Sequence, residues 1–136
     1  MSSIPEEFHD LLTEVPAYAV LTTMGSDDLP HSTKVWVDYD VDRDRVLVNT
    51  ERDRQKERNV SNDPRVSILV PDPENHYRWV SVSGEVDTIT EDGAREHIDV
   101  LAKRYLGEDE YPNPIATKRV ILEIRPDKVI TFDPGA

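Results

Sequence analysis

Apolar residues recur along this chain in two rhythms, one near every third or fourth position and one at every second. Phe8, Leu11, Leu12 and Val15 follow the helical rhythm. Ser3 and Glu6 have capping-box spacing ahead of them, so a short opening helix is expected, ended by Pro16. Ala17 to Met24 then reads as a compact apolar strand, and Gly25-Ser26-Asp27-Asp28 as a turn. From His31 to Tyr39 the pattern alternates: Val35, Val37 and Tyr39 share one face, Lys34, Trp36 and Asp38 the other. A turn over Asp40 to Asp44 leads to a third strand, Arg45 to Thr50. A polar helix is expected from about Glu51 to Asn62, with Thr50 at its N-cap and Asp53 three residues on. Asp63-Pro64 stops it, because the residue before a proline is disfavoured in a helix.

Arg65 to Val70 predicts a fourth strand, Pro71 to Asn75 a loop, and Tyr77 to Thr90 a long alternating strand. Thr90 is placed to cap a helix from Glu91 to about Tyr105, with Ala94, His97, Ile98, Leu101 and Ala102 on one side. After an irregular stretch from Gly107 to Ala116, Lys118 to Ile124 and Lys128 to Phe132 read as two further strands. Most strands are joined by short turns, so the sheet is mainly antiparallel. Seven strands around one core suggest a small barrel flanked by helices.

The length of 136 residues fits a single domain, 1–136, able to bury about two thirds of the surface its unfolded form exposes. Charge changes the picture more. With 28 acidic and 16 basic residues the formal net charge is -12, which argues against a nucleic-acid or anionic-membrane partner. Five Lys stand against eleven Arg and sixteen Asp, a surface suited to a salt-rich cytoplasm where screening removes self-repulsion. With no Cys, disulfides and thiolate chemistry are excluded. No apolar run approaches the roughly 18 residues of a membrane span, and the acidic start is unlike a signal peptide. A cytoplasmic location is expected.

Candidate chemistry concentrates in one place. The five Gly residues, at 25, 84, 93, 107 and 135, are too scattered for a Gly-rich phosphate loop. Any bound phosphate must therefore rely on side chains and a helix N-terminus. Arg52, Arg54, Lys56 and Arg58 lie within seven residues at the start of the polar helix, where free N–H groups and the helix dipole favour an anion. A solvated face with Glu51, Asp53 and Glu57 as partners is the plainer account of the same residues. Asp38, Asp40, Asp42 and Asp44 start like a calcium loop, but Arg43 replaces the required Gly and Asn49 the closing Glu, so no metal is assigned. His9, His31, His76 and His97 lack ligand spacing, and His97 is expected to be a satisfied interior or interface histidine. Trp36 and Trp79 sit on strand faces that suit core, oligomer interface or a platform for a flat cofactor.

Several segments together resemble the pyridoxamine 5′-phosphate oxidase-like superfamily of split β-barrel flavin and deazaflavin proteins, nearest to the members that use coenzyme F420. They are Ser32-Thr33-Lys34-Val35-Trp36-Val37, the run from Thr50 to Val60, Asp63-Pro64-Arg65-Val66-Ser67, the block from Pro71 to Val80, and Gly84-Glu85-Val86. The likeness runs from about Ala17 to Phe132. It implies a mainly β split barrel of six to seven mostly antiparallel strands with flanking helices, assembled as a homodimer with cofactors at the interface. It also implies that Arg54 and Lys56 hold the cofactor phosphate, helped by Asn49 and Thr50. By the same resemblance Ser32, Thr33, Lys34, Val35 and Trp36 run along the ring, while Tyr77 and Trp79 approach from the partner subunit. Many members of the family have Gly where this chain has Asp53, which sets a carboxylate beside the phosphate motif. Their C-terminal motif for a vitamin B6 phosphate is absent.

The expected function is hydride transfer between coenzyme F420 and a small organic acceptor, with no side chain assigned as catalytic acid or base. FMN is the alternative cofactor, and a non-catalytic flavin, deazaflavin or haem carrier or sensor the alternative role. The acidic tail of F420 calls for an extra basic groove, for which Arg52, Arg58 and Arg78 are the candidates.

Overall fold

The computed structural model describes residues 2–135. A 3-10 turn, Glu6–Phe8, leads into helix α1 (His9–Thr13). Strands β1 (Ala19–Met24), β2 (Pro30–Val35), β3 (Asp38–Asp40) and β4 (Arg45–Glu51) follow, then helix α2 (Gln55–Asn62). Strands β5 (Arg65–Asp72) and β6 (Asn75–Thr90), helix α3 (Ala94–Leu106) and strand β7 (Arg119–Phe132) complete the chain. All seven strands form one antiparallel sheet in the order β2-β1-β5-β6-β7-β4-β3.

The two edges of this sheet, β2 and β3, are consecutive in sequence. Only Trp36 and Val37 separate them, so Val35 and Asp38 lie within roughly 11 Å of each other, three Cα steps. A seven-stranded sheet whose edges are tied this closely must roll up on itself. That short tie makes the split barrel, and it also corrects the single strand expected over His31 to Tyr39. The segment divides because β2 pairs only with β1, and β3 only with β4.

Alternation carries the core as expected. Ala19 and Leu21 of β1, Val66, Ile68 and Val70 of β5, Val80 and Val82 of β6, and Val120, Leu122 and Ile124 of β7 point inward and are buried. Ile4, Phe8, Leu11 and Leu12 join the same cluster from the N-terminal segment. Helix α3 lays Ala94, Ile98, Leu101 and Ala102 against β7 and β4.

Several boundaries differ from the sequence reading. The two strands expected near the C-terminus are one, β7, which pairs with β6 along its length through an irregularity facing Ser83 and Gly84. There the two backbones approach so closely that a Cβ on Gly84 would sit 1.8 Å from the Arg125 carbonyl oxygen. Thr50 is no helix cap. It pairs with Val120 inside β4, and α2 begins only at Gln55, after Asp53 turns the chain with φ of 67°. Glu57, in the first turn, reaches back past the N-cap Arg54 to accept the Asp53 N–H at 3.0 Å, which secures the turn ahead of the helix. Ser3 likewise caps nothing, because its N–H and hydroxyl both go to Asp44. Thr90 ends β6 and accepts the Asp92 N–H at 3.1 Å, while Gly93 and Gly107, both left-handed, bracket α3.

Candidate functional site

A cavity of about 290 Å³ opens where the ends of β2 and β4 meet the start of α2 and of β7. It gathers Lys34, Val35, Trp36, Asn49, Thr50, Arg54 and Lys56, seven of the residues singled out from sequence. Tyr18, Ile98, Tyr111, Asn113 and Arg119 complete the wall. Four of these twelve side chains are cationic and none is a carboxylate, in a chain of net charge -12.

The basic run divides by direction. Arg52 turns outward to Glu91, 3.1 Å away, and Arg58 folds back on the Asp53 carbonyl and Gln55 Oε1. Arg54 and Lys56 face the cavity, and neither makes a side-chain hydrogen bond or ion pair among the described residues. Lys56 is half-buried, and burial pushes its ammonium below the ordinary lysine value, with Arg54 and then Arg119 adding to the fall. A lysine so placed lacks a counter-charge. Asp53 holds a left-handed backbone that glycine adopts more readily, and its side chain is exposed and outside the cavity wall.

Arg119 was not found from sequence. It lies beyond an irregular stretch and carries no local motif. Buried at the start of β7, it donates Nε–H to Asn49 Oδ1 at 2.8 Å, and Glu51 Oε1 lies 3.7 Å from Nη1. The Tyr111 ring covers its guanidinium at 5.1 Å. Asn49 is consequently spent within the protein, its Nδ2 donating to the Ala94 carbonyl at 2.8 Å and to His97 Nδ1 at 3.1 Å. Thr50 differs: the residue is buried and lines the cavity, and its hydroxyl has no protein partner among the described residues. Trp36 stacks on Tyr105 at 5.0 Å and 10°, and the edge of Tyr111 meets it at 6.1 Å.

The remaining sequence candidates lie elsewhere on this chain. Ser32 bonds the Thr22 hydroxyl at 2.9 Å on the outer face, and the Thr33 hydroxyl is buried without a partner. Tyr77 is 72% exposed, and Trp79 stands 6.0 Å from Phe132 on the outer face of the sheet. Arg78 is held by Asp10 at 2.7 Å, Asp72 at 3.0 Å and Asp133 at 3.5 Å, over the Phe8 ring. Asp10 and then Asp72 raise its pKa despite partial burial. With Arg52, Arg58 and Arg78 all engaged, the extra basic groove expected from them is not assembled within one chain. The partners of Arg52 and Arg78 were invisible in sequence because they lie far along the chain or on another strand, whereas Arg58 is drawn aside by its near neighbours Asp53 and Gln55.

Residues 4–133 match the family model described as pyridoxamine 5′-phosphate oxidase. Among solved structures, an F420 reductase is 32% identical, with a TM-score of 0.77 over 93% of this chain and 98% of its own. A conserved hypothetical protein from Mycobacterium tuberculosis is 26% identical, with a TM-score of 0.72 over 97% of this chain and 86% of its own. General Stress Protein 26 from Bacillus anthracis is 26% identical, with a TM-score of 0.64 over 87% and 85%. No curated protein matches the sequence.

Proposed function

The chain belongs to the pyridoxamine 5′-phosphate oxidase family, and on that premise we propose that it binds coenzyme F420 in the cationic cavity and serves hydride transfer to or from a small organic acceptor. The observation that carries this reading is the pair Arg54 and Lys56, facing a cavity free of carboxylates and lacking partners of their own. Charge-assisted bonds to phosphate are the natural complement of such a pair. The first turn of α2 adds its free N–H groups and positive dipole end. Thr50 has a hydroxyl to offer the same anion. Lys34, Val35 and Trp36 form the adjoining wall along which a flat ring can lie, with Trp36 kept in place by Tyr105. The deazaflavin supplies the hydride chemistry when bound, and the protein binds, orients and shelters it. The choice of F420 draws on the 32% identical F420 reductase.

FMN is the second reading, favoured by one observation. Arg52, Arg58 and Arg78 are engaged with protein groups, and FMN ends at its phosphate with no acidic tail to accommodate.

The register line through Lys34 of the cavity crosses an apolar outer face. Lys34 is in register with Val20, Val20 with Leu69, Leu69 with Ser81, and Ser81 with Ile130. Leu69, Ile130, Phe132 and Tyr77 are exposed there. A second copy seated on this face would bury them and bring residues such as Tyr77 and Trp79 toward the open side of the cavity, so the reading includes a homodimer.

The test is a pair of fluorescence titrations, with F420 and with FMN, on the wild type and on Arg54→Ala/Lys56→Ala. The expected result is tight binding of one cofactor and a loss of well over tenfold in the double variant. Unchanged affinity would overturn the site. Turnover with the bound cofactor and a panel of quinones, nitroaromatics and enones then separates an enzyme from a carrier.

A further inference from the structure

We propose that Arg119 is the buried third cation of the phosphate site, aimed into the cavity by a chain of hydrogen bonds running from Arg104 through Asp38, His97 and Asn49. The inference rests on the phosphate reading of the cavity and extends it to residues on β3, α3 and β7.

The direction of every bond in this chain follows from chemistry. Arg119 Nε can only donate and the Ala94 carbonyl can only accept, so the Asn49 amide has one orientation, Oδ1 toward Arg119 and Nδ2 toward Ala94. The same Nδ2 meets His97 Nδ1, which must accept. His97 therefore carries its proton on Nε2 and donates it to Asp38 Oδ2 at 2.9 Å. Asp38 Oδ1 takes a bond from Arg104 Nη2 at 2.9 Å, and Arg104 Nη1 is anchored on the Val37 carbonyl at 2.8 Å. All of these side chains are mostly buried. No alternative arrangement satisfies both ends, so the Arg119 guanidinium is held in one pose.

That pose leaves it underused. Among the described residues its one close hydrogen bond is through Nε, to Asn49. Glu51, 3.7 Å from Nη1, already accepts bonds from Thr117, and Tyr111 offers a ring face. A buried guanidinium lining a cavity beside two uncompensated cations is costly to a resting protein. A bound phosphate would meet all three positive charges. In this arrangement Arg119 is a binding residue, while Asn49, His97 and Asp38 are positioning residues.

The experiment compares each cofactor with its phosphate-free counterpart: FMN against riboflavin, and F420 against its bare deazaflavin core. The wild type is expected to prefer the phosphate-bearing form. Arg119→Gln should cut that preference about tenfold or more while leaving the phosphate-free form within about twofold, as one charge-assisted contact is lost. Arg119→Lys, which keeps the charge without the planar fork, should retain part of the preference. Asn49→Ala, with Arg119 intact but unanchored, should give a smaller loss in the same sense.

Equal loss of both forms in Arg119→Gln would mean a structural role and overturn the proposal. So would an unchanged preference in Arg119→Gln alongside a collapse in Arg54→Ala/Lys56→Ala, and the phosphate site itself would then stand. If the wild type shows no preference, or neither variant alters it, both readings fail together.

Discussion

Replacing Lys56 with methionine should stabilise the ligand-free protein and cripple its binding site. Methionine keeps the buried stem of the side chain and removes an ammonium that is half-buried, repelled by Arg54 and Arg119, and unpaired. Removing a charge in such a setting commonly stabilises a domain by about 1 kcal/mol. A chain of 136 residues unfolds with an entropy of roughly 0.3 kcal/mol/K. The midpoint of thermal unfolding should therefore rise by about 3 °C in phosphate-free buffer near pH 7. The pH dependence gives a sharper check. The Lys56 pKa is lowered in the folded state, so the unfolded chain binds more protons between the two values and stability grows with pH there. The wild type's handicap is complete below the folded value and disappears as pH rises to 10.5, the unfolded value. Thermal scans of both proteins from pH 7 to pH 10 should show the variant's advantage shrinking. Its affinity for the phosphate-bearing cofactor should fall about tenfold or more. A variant that unfolds below the wild type at pH 7, or that binds as tightly, would mean that Lys56 is neither an uncompensated charge nor a phosphate ligand.

Three other outcomes are expected. Gly84→Ala should force β6 and β7 apart, because its Cβ would lie 1.8 Å from a backbone oxygen. A cost of about 2–3 kcal/mol, or a drop of roughly 7–10 °C, is expected in thermal unfolding, and an unchanged midpoint would contradict the close approach. Raising salt from dilute buffer to molar concentration should raise the midpoint by screening the charge of -12, whereas equal stability in both would remove the case for a salt-adapted surface. In light scattering the wild type should have the mass of a dimer and Leu69→Glu that of a monomer, and a monomeric wild type would exclude the proposed interface.

The basic run shows how far local reading reaches. That Arg54 and Lys56 stand at a helix start was legible, because charge and helix-stop signals are carried by neighbouring residues. That Arg52 and Arg58 leave the site was not, because Glu91 and the turned backbone at Asp53 draw them away. Asn49 lines the cavity, yet its amide serves Arg119 and His97, and the two are brought to it by β7 and α3. Arg78, by sequence one more free cation, is enclosed by three aspartates from separate parts of the chain.

Local signals in the chain carry the helical and strand rhythms, the antiparallel class, the net acidity and the presence of a helix beside the basic run, though not its first residue, which is Gln55 and not Glu51. Each of these depends on residues within a few positions of one another. Long-range pairing sets the rest: His31 to Tyr39 divides between two sheet edges, β7 runs past Pro126 as one strand, and Arg119 meets Asn49 across 70 positions of chain. Those outcomes follow from barrel closure and strand register, which set distant side chains face to face. Local spacing does not encode which of them will meet.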